Sequence, residues 1–375
     1  MGADAGRHDV RYKNIDVLRG IAALCVVWLH ASEVFVTLPS VRSHGTSAYD
    51  IPKFLELGRV GVIAFFAISG FVVASTIKPP KIWGTRAFLI KRFFRLYPAF
   101  WFALALSYLA IWLPQAKVPS LGGLLANITM LPTIFGVEAA MGHFWTLEIE
   151  FAFYLLVVIL FLVGKLHNAW LLVVLIAILS LNPSGVLIKK LTWMSAQGHW
   201  VQLPLCLAIM LWASLLRRAY DPNTSITQKL NAWRTVPIAI ATAFVFGRAL
   251  SIGGMLRAPD FVTYLSGLGT LWGLTLFCMF VLTGSSWPRW LVWIGTISYS
   301  IYLLHPVILY PLFFFVSSGF TFDSASLPAH VLTVIAGTIA LASITYLLIE
   351  APSNRLAARL TRDNSIQVTG TSRVS

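Results

Sequence analysis

About ten stretches of this chain run for close to 20 residues with almost no charge, and that pattern restricts the fold more than any other feature. Twenty residues of helix rise about 30 Å, the thickness of a bilayer's hydrocarbon core. The runs are Ile15–Leu38, Leu57–Ile77, Phe93–Leu113, Phe144–Val163, Ala169–Leu181, Gly198–Leu216, Trp233–Leu250, Val262–Thr283, Leu291–Val316 and Pro328–Ile349, with Ala169–Leu181 the shortest. Leu121–Phe135 is also apolar but holds Gly122, Gly123 and Pro132, which suits a re-entrant or interfacial segment. Composition closes off the soluble alternative: 58% of residues are hydrophobic, 11% are charged, and mean hydropathy is +0.78. A soluble domain carries about 25% charged residues, so here the charge would not cover the surface. With 13% aromatics the chain has ample surface to bury, which excludes disorder. The expected fold is an all-α polytopic membrane protein with about ten transmembrane helices.

Basic residues give the orientation, because Lys and Arg collect in cytoplasmic loops. With the N-terminus inside, that side receives Arg7, Arg11 and Lys13, the cluster Lys78, Lys81, Arg86, Lys91, Arg92 and Arg95, then Arg217, Arg218 and Lys229, and finally Arg355, Arg359 and Arg362. The outer side receives mainly Arg42, Lys53, Lys117, Lys189, Lys190 and Arg257. This bias places both termini in the cytoplasm. It also explains the net charge of +14 without nucleic acid, for which no motif is present. The expected organisation is a cytoplasmic segment 1–14, a membrane domain 15–350 and a polar cytoplasmic tail 351–375, its distal part disordered. The first run shows no cleavage site and reads as a retained helix. Cys25, Cys206 and Cys278 lie singly within apolar runs, as small buried hydrophobes do, and no metal-ligand spacing occurs.

Ionisable residues inside spans cost about 2.5–3.5 kcal/mol each even on the lenient insertion scale, so each asks for a reason. In the first run Arg19 and His30 return to nearly one helical face about 16 Å apart, with Asp16 and Glu33 flanking them. Arg19 paired to Asp16 suits an interface anchor, and His30 suits a helix–helix hydrogen bond. The depth of His30 favours a proton-moving role, for which imidazole is the fitted side chain. Ser69 and Gly70 point to close helix packing. Arg92 and Arg95 share a face and make a fork for phosphate oxygens, within a cluster that equally serves as a cytoplasmic anchor. Glu150 lies well inside the fourth run, whereas Glu148 suits an interfacial carboxylate. Ser298, Tyr302 and His305 recur on one face, and Pro306 frees backbone groups beside His305. Glu350 falls at the inner end of the last run.

These residues carry a resemblance. Ile15–His30, Gly61–Phe71, Arg92–Tyr97, His143–Tyr154 and Gly295–His305, with Tyr346–Glu350 a weaker sixth, together resemble the acyltransferase-3 family of integral membrane O-acyltransferases. The family's Arg and His, ten residues between them, fall on Arg19 and His30, and its paired arginines on Arg92 and Arg95. Its His-Phe-Trp-Ser-Leu motif falls on His143–Leu147, including Trp145, with Thr146 in place of Ser and the hydroxyl retained. The following glutamate corresponds to Glu150. The chain resembles a stand-alone form without a C-terminal soluble domain.

The resemblance implies transfer of an acyl group, acetyl foremost, from acyl-CoA to a hydroxyl of a carbohydrate or lipid-linked glycan, in a bacterial inner membrane. Acyl-CoA is then a co-substrate, no permanently bound cofactor or metal is expected, and the other partners are membrane lipids. Arg19, Arg92, Arg95 and Asp16 are assigned to the donor. His30 is assigned as general base, with His143 in the catalytic set and a carboxylate, Glu33 or Glu150, orienting the imidazole, as in triads. Trp145, Ser298, Tyr302 and His305 are assigned to the substrate. A covalent acyl-histidine is the variant mechanism. From the residues alone, a proton-coupled transporter with His30, Glu150 and His305 as its relay stays open, as does a non-catalytic sensor.

Overall fold

The computed structural model describes residues 13–117, 119–181, 200, 202–219, 225–252, 261–283, 286–319 and 325–370, and these contain helices but no strands. Arg7, Arg11, Lys189, Lys190, Arg257 and the first residues of the run at Gly198 lie outside the described residues. Each apolar run becomes a helix. Among the described residues six helices are long and apolar enough to cross a membrane, or seven if the bent pair α3 (Ser47–Phe54) and α4 (Leu57–Val73) is one span. Three further runs give shorter helices among the described residues. They are α8 (Ala169–Leu181, 13 residues), α9 (Leu203–Ala219, 17 residues) and α11 (Val236–Ile252, 17 residues). At 1.5 Å per residue their described lengths are about 20–26 Å, and each adjoins residues outside the described ones.

The helix α4 is the hub. It packs on α1 (Lys13–Phe35), on α9 and on α12 (Phe261–Leu282), burying Val60, Ile63, Ala64, Ala67, Ile68 and Phe71. Gly70 lets α9 approach: a Cβ there would stand 2.1 Å from the Met210 carbonyl oxygen. This is the close packing that the Ser69–Gly70 pair suggests. The chain enters α4 through Glu56 at φ +52°, a left-handed conformation that a non-glycine residue adopts only when its surroundings impose it. There α3 and α4 meet at 45°.

The helix α5 (Lys81–Ser107) begins twelve residues before its apolar run (93 − 81), so Lys81, Arg86, Lys91 and Arg92 sit on helix rather than in a loop. It continues through a π-turn at Tyr108–Trp112 to Gln115. The apolar segment after it makes only a short helix, α6 (Leu121–Ile128), capped by Ser120, and then breaks into a turn at Pro132–Phe135. Glu148, on α7 (Trp145–Leu162), lies beneath that turn: it is 1% exposed and accepts from the Thr133 amide at 3.2 Å and from the Thr133 hydroxyl. A buried carboxylate needs such donors, and a turn distant in sequence supplies them.

After α10 (Ile226–Trp233), α11 and α12, the ninth run splits at Ile297 into α13 (Arg289–Thr296) and α14 (Ser298–Ser317). Helix α14 runs on past Pro306 and Pro311. Then come α15 (Leu327–Thr345), a π-turn at Tyr346–Glu350 and α16 (Ala351–Gly370), which packs on α5.

Helices α1 and α13 nearly touch at Gly295, where a Cβ would lie 1.8 Å from the Asp16 carbonyl oxygen. That neighbour is backbone and cannot swing aside. Gly295→Ala is expected to lower stability by about 1–3 kcal/mol through overpacking, read as a lower unfolding temperature in detergent against Gly319→Ala, whose site has open space but a positive φ that adds its own strain.

Candidate active site

Two cavities occupy the bundle, and the charged residues sort between them. The smaller, about 110 Å³, is lined by three guanidiniums, Arg19, Arg92 and Arg95, together with Glu150, Ser69 and Tyr154. Arg19 comes from the first turns of α1 with Asp16 3.7 Å away, one turn earlier on the same face. Arg92 and Arg95 stand one turn apart on α5 and both reach this cavity, as their spacing suggests.

Each arginine is held. Arg95 forms an ion pair with Glu350, whose side chain is wholly buried and also accepts from the Ser300 hydroxyl at 2.9 Å. Its guanidinium lies 5.7 Å from the Tyr299 ring centroid. Arg92 donates Nη2–H to the Thr76 hydroxyl at 2.8 Å and packs between the rings of Phe88 and Tyr154. Glu150 accepts from Ser69 at 3.0 Å and from the Tyr154 hydroxyl. The three guanidiniums are matched by three carboxylates, Asp16, Glu350 and Glu150, and Arg92 alone of the three arginines has no ion pair among the described residues; forked guanidiniums match phosphate oxygens.

The larger cavity, about 980 Å³, is of the size that holds a sizeable organic ligand. His30, His143 and His305 line it, with Trp112, Trp145 and Tyr310 as aromatic walls and Glu33, Glu56, Arg59, Glu138 and Lys117 as charges. The three imidazoles form one cluster: the His305 ring centroid is 5.1 Å from that of His30 and 4.8 Å from that of His143. His30 Nδ1 and His305 Nε2 are hydrogen-bonded at 2.9 Å. His143 Nε2 is buried and has no hydrogen-bond partner among the described residues. No group of three or more His, Cys, Asp or Glu side chains among the described residues is arranged to hold a metal ion.

The cavities share two lining residues, Val62 and Tyr302. Tyr302 is the larger, and it is fixed. Its hydroxyl donates to the His143 carbonyl at 2.8 Å, the Thr146 hydroxyl donates to the same carbonyl at 3.3 Å, and the two hydroxyls are hydrogen-bonded at 2.9 Å. Phe65 packs edge-on against it, with ring centroids 5.7 Å apart. Tyr302, with Val62, therefore lies where the guanidinium cavity and the imidazole cavity adjoin.

The residues singled out in the sequence thus fall into two groups. Asp16 is at Arg19; Arg19, Arg92, Arg95, Glu150 and Ser298 are at the small cavity; His30, Glu33, His143, Trp145 and His305 are at the large one; Tyr302 belongs to both. Neither carboxylate named as an orienting partner reaches His30. Glu33 pairs with Lys53 at 3.2 Å, and Glu150 is bonded to Ser69 and Tyr154 in the other cavity. His305 is the partner instead. The Ser298 hydroxyl donates to the Gly295 carbonyl at 2.8 Å, closing the break between α13 and α14. Sequence reasoning missed Thr76, Ser300 and Tyr154, which hold the charged groups, and read Ser69 as packing alone. Their signal, a hydroxyl facing a charge, exists only after folding.

A protein-family model described as an acyltransferase domain, that of the acyltransferase-3 family, matches residues 12–347, nearly the whole chain. No curated protein and no solved structure matches the chain.

Proposed function

The chain belongs to the acyltransferase-3 family, and we propose that it is a multi-pass membrane O-acyltransferase moving an acyl group, acetyl foremost, from acyl-CoA to a hydroxyl of a carbohydrate or lipid-linked glycan. We place it in a bacterial inner membrane, with the arginine cavity toward the cytoplasm by the distribution of basic residues. The observation that supports this reading best is that an arginine-lined cavity adjoins an imidazole-lined cavity at one shared tyrosine.

Arg92 and Arg95, with Arg19 behind them, take phosphate oxygens of the donor. The acyl-pantetheine arm then leads toward Tyr302. On the other side the large cavity offers what a sugar needs: flat aromatic faces at Trp112 and Trp145, and carboxylates and amides for hydroxyls. The acceptor oxygen attacks the thioester carbonyl as His30 takes its proton. The tetrahedral intermediate collapses, the C–S bond breaks, and His30 returns the proton to the departing sulfur. An ester and a free thiol result, with no net proton change. With Tyr302 where the two cavities adjoin, the thioester must pass it to react.

Purified protein in lipid nanodiscs, given labelled acetyl-CoA and a panel of glycans, is expected to place label on a glycan in alkali-labile linkage. Failure of every acyl-CoA and glycan pair, with uptake of solute into vesicles that contain no thioester, would replace this reading with a transporter.

A further inference from the structure

The orientation of the base is set by a chain of groups that begins at a missing hydrogen-bond donor. In an α-helix the Tyr302 carbonyl would accept from the amide of residue 306. That residue is Pro306, which has no N–H, although the helix runs on through it. The freed carbonyl is taken by His305 Nδ1 at 2.8 Å. A carbonyl can only accept, so Nδ1 of His305 carries the hydrogen, and the neutral ring has a bare lone pair at Nε2. That lone pair faces His30 Nδ1 at 2.9 Å. His30 therefore carries its hydrogen on Nδ1 and presents Nε2 unprotonated.

We infer that His305, fixed by the Tyr302 carbonyl that Pro306 leaves open, is the positioning residue that holds His30 in its Nδ1–H tautomer, leaving Nε2 as the basic atom of the acyltransferase. This rests on the reading of His30 as general base and gives His305, assigned from sequence to the substrate, a different task. His305 is fully buried, whereas His30 is half-buried, so the inner ring is the reference and the outer ring the one that meets solvent and substrate. When His30 accepts the acceptor's proton at Nε2, its Nδ1–H stays bonded to His305 and the charge is shared across that bond. A second proton on His305 would reverse the bond and place a hydrogen on His30 Nε2, which removes the base.

Three variants and one spectrum test this. His305→Leu deletes the acceptor of His30 Nδ1–H and is expected to lower kcat by about 10²-fold or more with little change in KM for acyl-CoA, because a base in the wrong tautomer is catalytically silent. In His305→Gln the amide oxygen can still accept, and kcat is expected to recover to within about tenfold of wild type. Pro306→Ala returns an amide hydrogen to compete for the Tyr302 carbonyl and is expected to fall between these two. Nitrogen NMR of histidine-labelled wild type reads the tautomer without any mutation, and His30 is expected as Nδ1–H. Wild-type kcat in His305→Leu, Gln no better than Leu, or an Nε2–H signal from His30 would each overturn the inference. The underlying reading fails differently, through full activity in His30→Ala.

Discussion

His30→Ala is expected to lower kcat for acyl transfer by about 10²–10⁴-fold, the usual contribution of a positioned general base. KM for acyl-CoA should change by no more than a few-fold, because the guanidiniums proposed to meet the donor line a different cavity and none of their bonds involves His30. Steady-state kinetics with acyl-CoA varied at fixed acceptor separates the two constants. A large rise in KM with kcat intact would move His30 from proton transfer to donor binding. The fold should tolerate the change, since His30 is half-buried and borders a cavity already about 980 Å³ in volume. Its loss enlarges that space and leaves His305 Nε2 open to water.

Arg95→Ala is expected to act on stability and donor binding together. The Glu350 side chain is wholly buried, and its remaining partner is the Ser300 hydroxyl. Removing one member of a buried ion pair costs about 3–5 kcal/mol, because the other charge stays behind unpaired. Against a total stability of about 5–15 kcal/mol that is a large share. Thermal unfolding in detergent should show it directly. The double variant Arg95→Met with Glu350→Gln removes both charges and keeps the volume, so much of the stability should return. Its KM for acyl-CoA should stay at least tenfold raised, since a fork for phosphate oxygens is gone. A stable double variant with wild-type KM would show that Arg95 serves the fold alone.

The architecture was legible in the sequence where the signal is local. Apolar length located the helices, and one turn of spacing put Arg92 and Arg95 into the same cavity. The glycines and proline of Leu121–Phe135 marked a segment that breaks after eight residues of helix. What stayed hidden was pairing at long range. His30 meets a partner 275 residues away, and Arg95 one 255 residues away. From α1 alone Glu33 is the nearest candidate to orient His30, yet Lys53 on α3 engages it. The position of Glu148 on α7 says nothing about the turn that folds over it. Spacing alone places Arg19 and His30 on one helical face, yet the fold sets them at different cavities. That a tyrosine from α14 borders both cavities is visible only in the tertiary fold. Pro306 is the intermediate case: its effect on the backbone is visible in the sequence, but the imidazole that answers it is not.

The account stands on donor and acceptor approaching Tyr302 from opposite sides. Sealed proteoliposomes, with protein orientation set by access to a C-terminal tag, test this when labelled acetyl-CoA is confined to the side of the basic cluster and a membrane-impermeant glycan to the other. Label on the glycan, abolished in His30→Ala, is the predicted result. Transfer only when both substrates share the basic side would contradict it.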